Sequence, residues 1–272
     1  MEANLQRRIQ RYGWDRAAAY YERYWKEQLA PAQHRLLDEA RLRAGEAVLD
    51  IACGTGLVTF PAAEAVGPEG RVLATDISDR MVDAIRADAA RRGMAHVAAR
   101  QMDAEDLDVP DASFDAALCA LGLMYVPDPL RALREMHRVL CPGGRAVAAV
   151  WGRRDRCGWA GIFPVVDARV KTEVCPLFFQ LGTGDSLAAV FREAGFADVV
   201  SERLSTTLHY ASAEEACGAA FAGGPVALAY SRFDAATRKE AHADYLATIA
   251  PYRHGTAYRI PGEFVVVRGS RP

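Results

Sequence analysis

The sequence predicts an α/β fold, a doubly wound and mostly parallel sheet with helices on both faces. Three observations carry this. Short apolar runs alternate with helical patterns from Ala47 to Trp151. The links between them are short and rich in Gly, Pro, Asp and Ser. One link, Asp50-Ile51-Ala52-Cys53-Gly54-Thr55-Gly56, places an acid and bare backbone at the carboxyl end of the first strand. Strand–helix repeats with short links make parallel sheets with right-handed crossovers. Small ligands bind outside the carboxyl ends of such strands.

The elements follow in order. Residues 1–45 read as helical, broken by Pro31, with a second helix through Leu36 and Leu37 to about Leu42. Ala47–Ile51 reads as a strand and Leu57–Val66 as a helix closed by Gly67-Pro68. A strand from Arg71 ends at Asp76. Ser78 or Asp79 then caps a helix with Met81, Val82, Ile85 and Ala89 on its apolar face, stopped by Gly93. His96–Arg100 and Phe114–Ala120 are strands. Asp128 is an N-cap with Pro129 at the first helical position. Pro142-Gly143-Gly144 turns the chain into a strand from Arg145 to Trp151.

After Trp151 the rhythm changes. Residues 152–184 carry Gly, Pro and aromatics without a clean period. Asp185 reads as a cap for a helix ended by Gly195, and Val199–Tyr210 as a strand. Ser212 with Glu215 forms a capping box. Asp234–Ile249 is helical, and Tyr258–Arg268 is the final strand. The boundaries expected are an N-terminal helical cap (1–45), a ligand-binding core (46–152), and the remaining strands with a helical lid (153–272), the last two forming one unit.

Composition narrows the function. A chain of 272 residues with a net charge of −2 offers no basic surface for nucleic acid or an anionic membrane. No apolar run approaches the length of a membrane span, and the polar amino terminus lacks a signal-peptide core. The six cysteines (Cys53, Cys119, Cys141, Cys157, Cys175 and Cys217) show no C-x-x-C spacing, and no histidine pair has metal-ligand spacing. The expectation is a cytoplasmic protein without a metal. Self-association as a homodimer stays open.

The glycine loop chooses between two nucleotide-type cofactors. The dinucleotide pattern G-x-G-x-x-G fails, because Gly54-Thr55-Gly56-Leu57-Val58-Thr59 lacks the third glycine. A pyrophosphate on the helix N-terminus would also meet the Asp50 carboxylate. A ligand carrying ammonium and sulfonium charges would welcome it. Asp76, 20 residues after Gly56, can accept from ribose hydroxyls with either cofactor.

The stretch Asp50 to Gly56 resembles the D-x-G-x-G-x-G signature of the class I S-adenosylmethionine (SAM)-dependent methyltransferases, with Ala52 where that family usually has Gly. Ala is small enough that only a slight loop shift is expected. Within the family the flavour is that of the ubiquinone/menaquinone-biosynthesis-like small-molecule methyltransferases. Met102-Asp103-Ala104-Glu105-Asp106, Phe114 to Tyr125, and Leu140 to Gly144 resemble later family motifs in the expected order. The resemblance covers residues 45–151. It implies a Rossmann-like, mostly parallel seven-stranded sheet with an antiparallel last strand, N-terminal helices and a helical lid insertion. It implies SAM as cofactor, S-adenosylhomocysteine as product, and a small-molecule methyl acceptor with an O, N, S or C nucleophile reached by in-line displacement.

The cofactor residues so implied are Asp50, Ala52, Cys53, Gly54 and Gly56 in the first loop, and Asp76, Ile77 and Met81 after the second strand. Asp103 and Ala104 would meet the adenine edge, with Glu105 or Asp106 as alternative polar partners there. The backbone of Cys119 and Ala120 would lie under the sulfonium. Asp50 has a competing reading as a strand-end acid capping the next helix. Tyr12, Trp14, Tyr20, Tyr21, Tyr24 and Trp25 are expected either to roof the site or simply to pack on the core. No catalytic residue stands out. His209 and His254 fall where a lid would form and are the candidates for a general base, although a surface role outweighs catalysis for each; His137 is expected to be packed. Two other functions stay open: an NAD(P)-dependent oxidoreductase and a catalytically silent SAM-binding module.

Overall fold

The first helix of the computed structural model, which describes residues 3–170 and 178–272, runs unbroken through Pro31. Helix α1 spans Ala3–Ala40, where the sequence predicts two helices. The reason is energetic. An interior proline costs about 3 kcal/mol. Leu29 and Leu36 are buried across the helix from it, and each contributes about 1.5–3 kcal/mol, with Ala32 and Ala40 beside them. Pro31 itself is exposed, so its ring meets solvent rather than the core.

The chain then alternates. Strand β1 (Ala47–Ile51) leads to α2 (Thr59–Val66), β2 (Arg71–Asp76) to α3 (Asp79–Arg92), and β3 (Val97–Gln101) to β4 (Phe114–Ala120). Helix α4 (Pro129–Val139) runs directly into β5 (Leu140–Trp151). Later come α5 (Ile162–Asp167), α6 (Ser186–Glu193), β6 (Ala197–Tyr210), α7 (Ala213–Cys217), α8 (Ala227–Tyr230), α9 (Ala235–Ile249), a two-residue β7 (Arg253–His254) and β8 (Ala257–Ser270). A π-helical turn, Gly218–Ala222, follows α7.

The sheet order is β3-β2-β1-β4-β5-β8-β6, with β7 paired to β8 alone. Strands β1 to β5 are parallel, and β8 runs antiparallel to both neighbours. This is the expected Rossmann-like sheet with an eighth, minimal strand, made where Gly255 at φ +65° folds β7 back on β8. Order reverses between β1 and β4. That switch point opens a crevice at the carboxyl ends of the strands.

Several local details differ from the sequence reading. Pro142-Gly143-Gly144 lies within β5 as an irregularity, because the Gly143 N–H and the Gly144 carbonyl both pair with Arg271. Asp185 makes no cap bond; its carboxylate pairs with Arg192 instead. Ser212 accepts from the Glu215 N–H, but Glu215 reaches the N–H of Ala211 rather than that of the cap residue. Ser78, Asp128 and Asp234 cap α3, α4 and α9. Of the cysteines, Cys53, Cys119, Cys157 and Cys217 are buried free thiols and Cys141 is half-buried and free; Cys175 and part of the 152–184 segment lie outside the described residues. Among the described residues no helix is long and apolar enough to cross a membrane.

Candidate active site

The loop after β1 is a tight reversal. Ala52, Gly54 and Gly56 have φ of +55°, +55° and +95°. The left-handed region costs a residue with a Cβ about 1–2 kcal/mol, so Ala52 holds strain where glycine would be relaxed. Leu121, in the loop after β4, is a second such residue at φ +63°. The two strained residues flank the switch point, and both line the cleft. The loops touch there: a Cβ on Gly122 would sit 2.4 Å from the Cβ of Ala52. Gly56 is equally fixed, since a Cβ would lie 2.5 Å from the Phe60 ring.

At the end of β2, Asp76 accepts from the Gly54 N–H at 3.0 Å and the Ser78 N–H at 2.9 Å. Its carboxylate thus locks the first loop to the second. Burial pushes its pKa up to about 6, partly opposed by those two donors. Asp76, Ile77 and Met81 line the cleft together with Ala52, Gly54, Asp103, Ala104 and Ala120. Of the other predicted residues, Asp50, Cys53, Gly56 and Cys119 do not line it. Cys53 packs with Phe60, Val82 and Ile85. Cys119 is fully buried in the main core.

Asp50 is 1 % exposed. Its Oδ2 accepts from the Thr59 hydroxyl at 2.6 Å, at the start of α2, and its Oδ1 has no partner among the described residues. Burial lifts its pKa to about 7, and Asp76 adds repulsion.

Helix α1 crosses this region with two stripes. Trp14, Tyr21 and Trp25 line the cleft, as does Gln10. Tyr12 and Tyr20 do not: they are 52 % and 47 % exposed on the outer side of the helix, so their predicted role as part of a roof is corrected. Tyr24 instead packs against Gly218, where a Cβ would fall 2.4 Å from its ring. The second stripe is polar and was not anticipated. Arg7 pairs with Asp103 at 2.7 Å and also with Glu105; Arg11 pairs with Asp79 at 2.5 Å; Asp15 accepts from the Ser78 hydroxyl at 2.6 Å. Residues 7, 11 and 15 are spaced one helical turn apart, and that spacing is the signal that could have found them. Asp103 therefore already holds Arg7 and the Glu105 N–H. Glu105 is buried, braces the Asp128 N–H at the start of α4 and does not line the cleft, so it is not the alternative partner at the adenine edge.

Farther from the loops the walls become aromatic. Trp25, Trp151 and Trp159 contact one another with ring centroids 4.8–6.1 Å apart, and Tyr125 bridges Trp14 and Phe178. Gly223, Gly224 and Pro225 close the far side. The cleft encloses about 960 Å³ of free space, its open mouth included. His209 and His254 are both exposed and neither lines the cleft. His209 is held in β6 by its backbone, which exchanges two hydrogen bonds with the Gln28 amide; His254 sits in the β7–β8 hairpin. Exposed and away from the cleft, neither is placed to act as a base there. His137 packs edge-on against Phe196, as expected.

Comparison with known proteins agrees with this architecture. Residues 48–144 match the methyltransferase domain family. A nocamycin O-methyltransferase from Saccharothrix syringae is 33 % identical over 225 residues, covering 78 % of this chain and 80 % of that protein. The chain belongs to the class I SAM-dependent methyltransferases. A demethylmenaquinone methyltransferase from Geobacillus kaustophilus is 29 % identical over 228 residues, with 73 % and 92 % covered. A crystal structure from Bacillus halodurans C-125 superposes on this methyltransferase with a TM-score of 0.62 at 20 % identity, covering 89 % of this chain and 99 % of that one. SAM is the cofactor of this enzyme, and the donor set fits it. Among the described residues the cleft's loop end carries two carboxylates, Asp76 and Asp103, and one cation, Arg7, already paired with two acids. Two carboxylates there would repel a diphosphate and suit a cationic ligand.

Proposed function

We propose that this methyltransferase acts on a small, largely apolar molecule bound between the SAM loops and the aromatic end of the cleft. The observation that carries the reading is the division of one cleft into an acidic, backbone-lined end and an aromatic end. Asp76 accepts from the ribose hydroxyls, and Ile77 and Met81 pack on the adenine. Asp103 and Ala104 face its edge. The loop backbone from Ala52 to Gly56 takes the amino-acid portion, with the unpartnered oxygen of Asp50 as its buried counter-charge. When bound, SAM supplies a methyl group activated on a sulfonium. The protein's tasks are then alignment of the acceptor for in-line displacement and exclusion of water. Trp14, Tyr21 and Trp25 on α1 do both by covering the cleft. Residues 1–45 act as a cap, and the segments after Trp151 supply the remaining acceptor walls. The relatives' names, a nocamycin O-methyltransferase and demethylmenaquinone methyltransferase, support small-molecule acceptors.

Calorimetry tests this directly. S-adenosylhomocysteine binds the wild-type protein, and Asp76→Ala lowers its affinity at least tenfold while the protein stays folded. NAD(P) does not bind. Unchanged affinity in Asp76→Ala overturns the ribose assignment, and binding of NAD(P) in place of S-adenosylhomocysteine overturns the whole reading.

A further inference from the structure

Among the described residues, the aromatic end of the cleft is lined by two tryptophans with unmet indole N–H groups and by no base. Trp25 and Trp159 are 5 % and 3 % exposed, both line the cleft, and neither indole N–H has a hydrogen-bond partner among the described residues. A buried donor left unmet is costly, and native structures rarely keep two together without a use. The Trp25 N–H edge lies against the far wall: a Cβ on Gly223 would come 3.3 Å from Nε1. An indole N–H can only donate. It rewards an acceptor oxygen and penalises an ammonium group.

The inventory of proton acceptors points the same way. No His, Lys, Glu or Cys occurs among the described residues lining the cleft. Asp76 and Asp103 are engaged at the other end. Tyr21 is half-buried and keeps its proton, its pKa raised by desolvation. Among the described residues a nucleophile that must lose a proton inside this cleft finds no ready base, which favours one that enters already deprotonated.

We propose, building on the reading above, that the acceptor is a ring-bearing organic acid, a carboxylate or an equally acidic enol, whose oxyanion is held by the indole N–H groups of Trp25 and Trp159. The aromatic walls take the ring face to face or edge to face. The acid loses its proton to water before binding. Its oxygen then supplies the electron pair of the new O–C bond, the S–C pair stays on sulfur, and no protein group changes protonation. Among the described residues no cation lines the aromatic end of the cleft, so an anion held there binds best when the cofactor site carries positive charge.

The test uses calorimetry on the full chain with 2-naphthoate and 2-naphthylmethylammonium as probes. The cofactor site is filled with S-adenosylhomocysteine, which is neutral at sulfur, or with sinefungin, which carries an ammonium there. Naphthoate is expected to bind at least tenfold tighter than the ammonium probe, and tighter with sinefungin than with S-adenosylhomocysteine. Trp25→Phe and Trp159→Phe each weaken naphthoate about tenfold, equivalent to about 1.4 kcal/mol, and leave S-adenosylhomocysteine affinity unchanged. Equal or tighter binding of the ammonium probe by the wild type overturns the proposal without any variant. So does naphthoate affinity within twofold of wild type in both variants while S-adenosylhomocysteine still binds. Failure of the wild type to bind S-adenosylhomocysteine is a different result: it overturns the cofactor assignment beneath.

Discussion

Asp50→Asn is expected to make the ligand-free protein more stable and worse at its task. The Asp50 carboxylate is buried, with one oxygen on the Thr59 hydroxyl and the other unpartnered among the described residues. Its pKa rises from an ordinary 3.8 to about 7, first through desolvation, with Asp76 adding repulsion. At about 1.4 kcal/mol per pH unit, keeping it charged in the fold costs on the order of 4 kcal/mol. The folded value lies above the unfolded one, so the penalty is absent below pH 3.8. It grows as pH rises from there and is complete above about pH 7. Asparagine keeps the shape and an oxygen for Thr59 but removes the charge at every pH.

Urea unfolding of the ligand-free proteins measures this. At about pH 8 the Asn variant should exceed wild type by roughly 3–4 kcal/mol, and at about pH 5.5 by only about 2 kcal/mol, because the wild-type penalty has partly lifted. Its affinity for S-adenosylhomocysteine should fall at least tenfold. A variant no more stable than wild type at the higher pH, or a gap that ignores pH, would refute the account of Asp50 as a charge held against its own burial.

Four further outcomes follow from the geometry. Gly122→Ala sets a methyl 2.4 Å from the Ala52 Cβ; S-adenosylhomocysteine affinity should drop at least tenfold by calorimetry, and Ala52→Gly in the same chain should recover part of it. Arg7→Ala removes ion pairs to Asp103 and to buried Glu105; thermal unfolding should show a loss of about 2 kcal/mol, and stopped-flow a faster release of S-adenosylhomocysteine. His209→Ala and His254→Ala, both outside the cleft, should leave S-adenosylhomocysteine and 2-naphthoate affinities within twofold. Amide exchange should be faster over residues 7–21 of α1 than over 28–40, where Leu29, Ala32, Leu36 and Ala40 anchor the helix, and S-adenosylhomocysteine should slow the first stretch selectively.

Strands β1, β2 and β4 were legible nearly to the residue because each is an apolar run closed by a turn former or an acid, and that information is local. Pro31 misled because a helix-breaking residue is also local, whereas burial of Leu29 and Leu36 is not. The loops after β1 and β2 could be placed at the cleft from topology alone. Which side of α1 faces them is not local information, so the sequence does not separate Tyr12 and Tyr20 from Trp14 and Tyr21 and does not show the partners of Arg7, Arg11 and Asp15. The walls from Trp159 and Gly223 to Pro225 come from segments without periodicity, which only tertiary packing brings to the cleft. His209 lost its role for a similar reason: strand alternation put it on an open face, while Gln28, far away in sequence, claimed its backbone.

Asp50 and Asp76 lie in one small region, both buried and both raised in pKa by that burial. Hydrophobic replacement would stabilise the empty fold, so stability does not explain them. Their two immediate services, to Thr59 and to the N–H groups of Gly54 and Ser78, could be met by neutral amides with less penalty. What an amide cannot do is favour a cation. On the proposed cofactor placement, a positively charged adenosyl ligand should lower both pKa values toward the ordinary carboxylate range as it binds, recovering free energy that the empty protein forgoes. The cost of charge burial in the free enzyme is thus converted into affinity. It appears as proton release on binding below about pH 7, the inverse of what a phosphate-bearing ligand would cause at the same carboxylates.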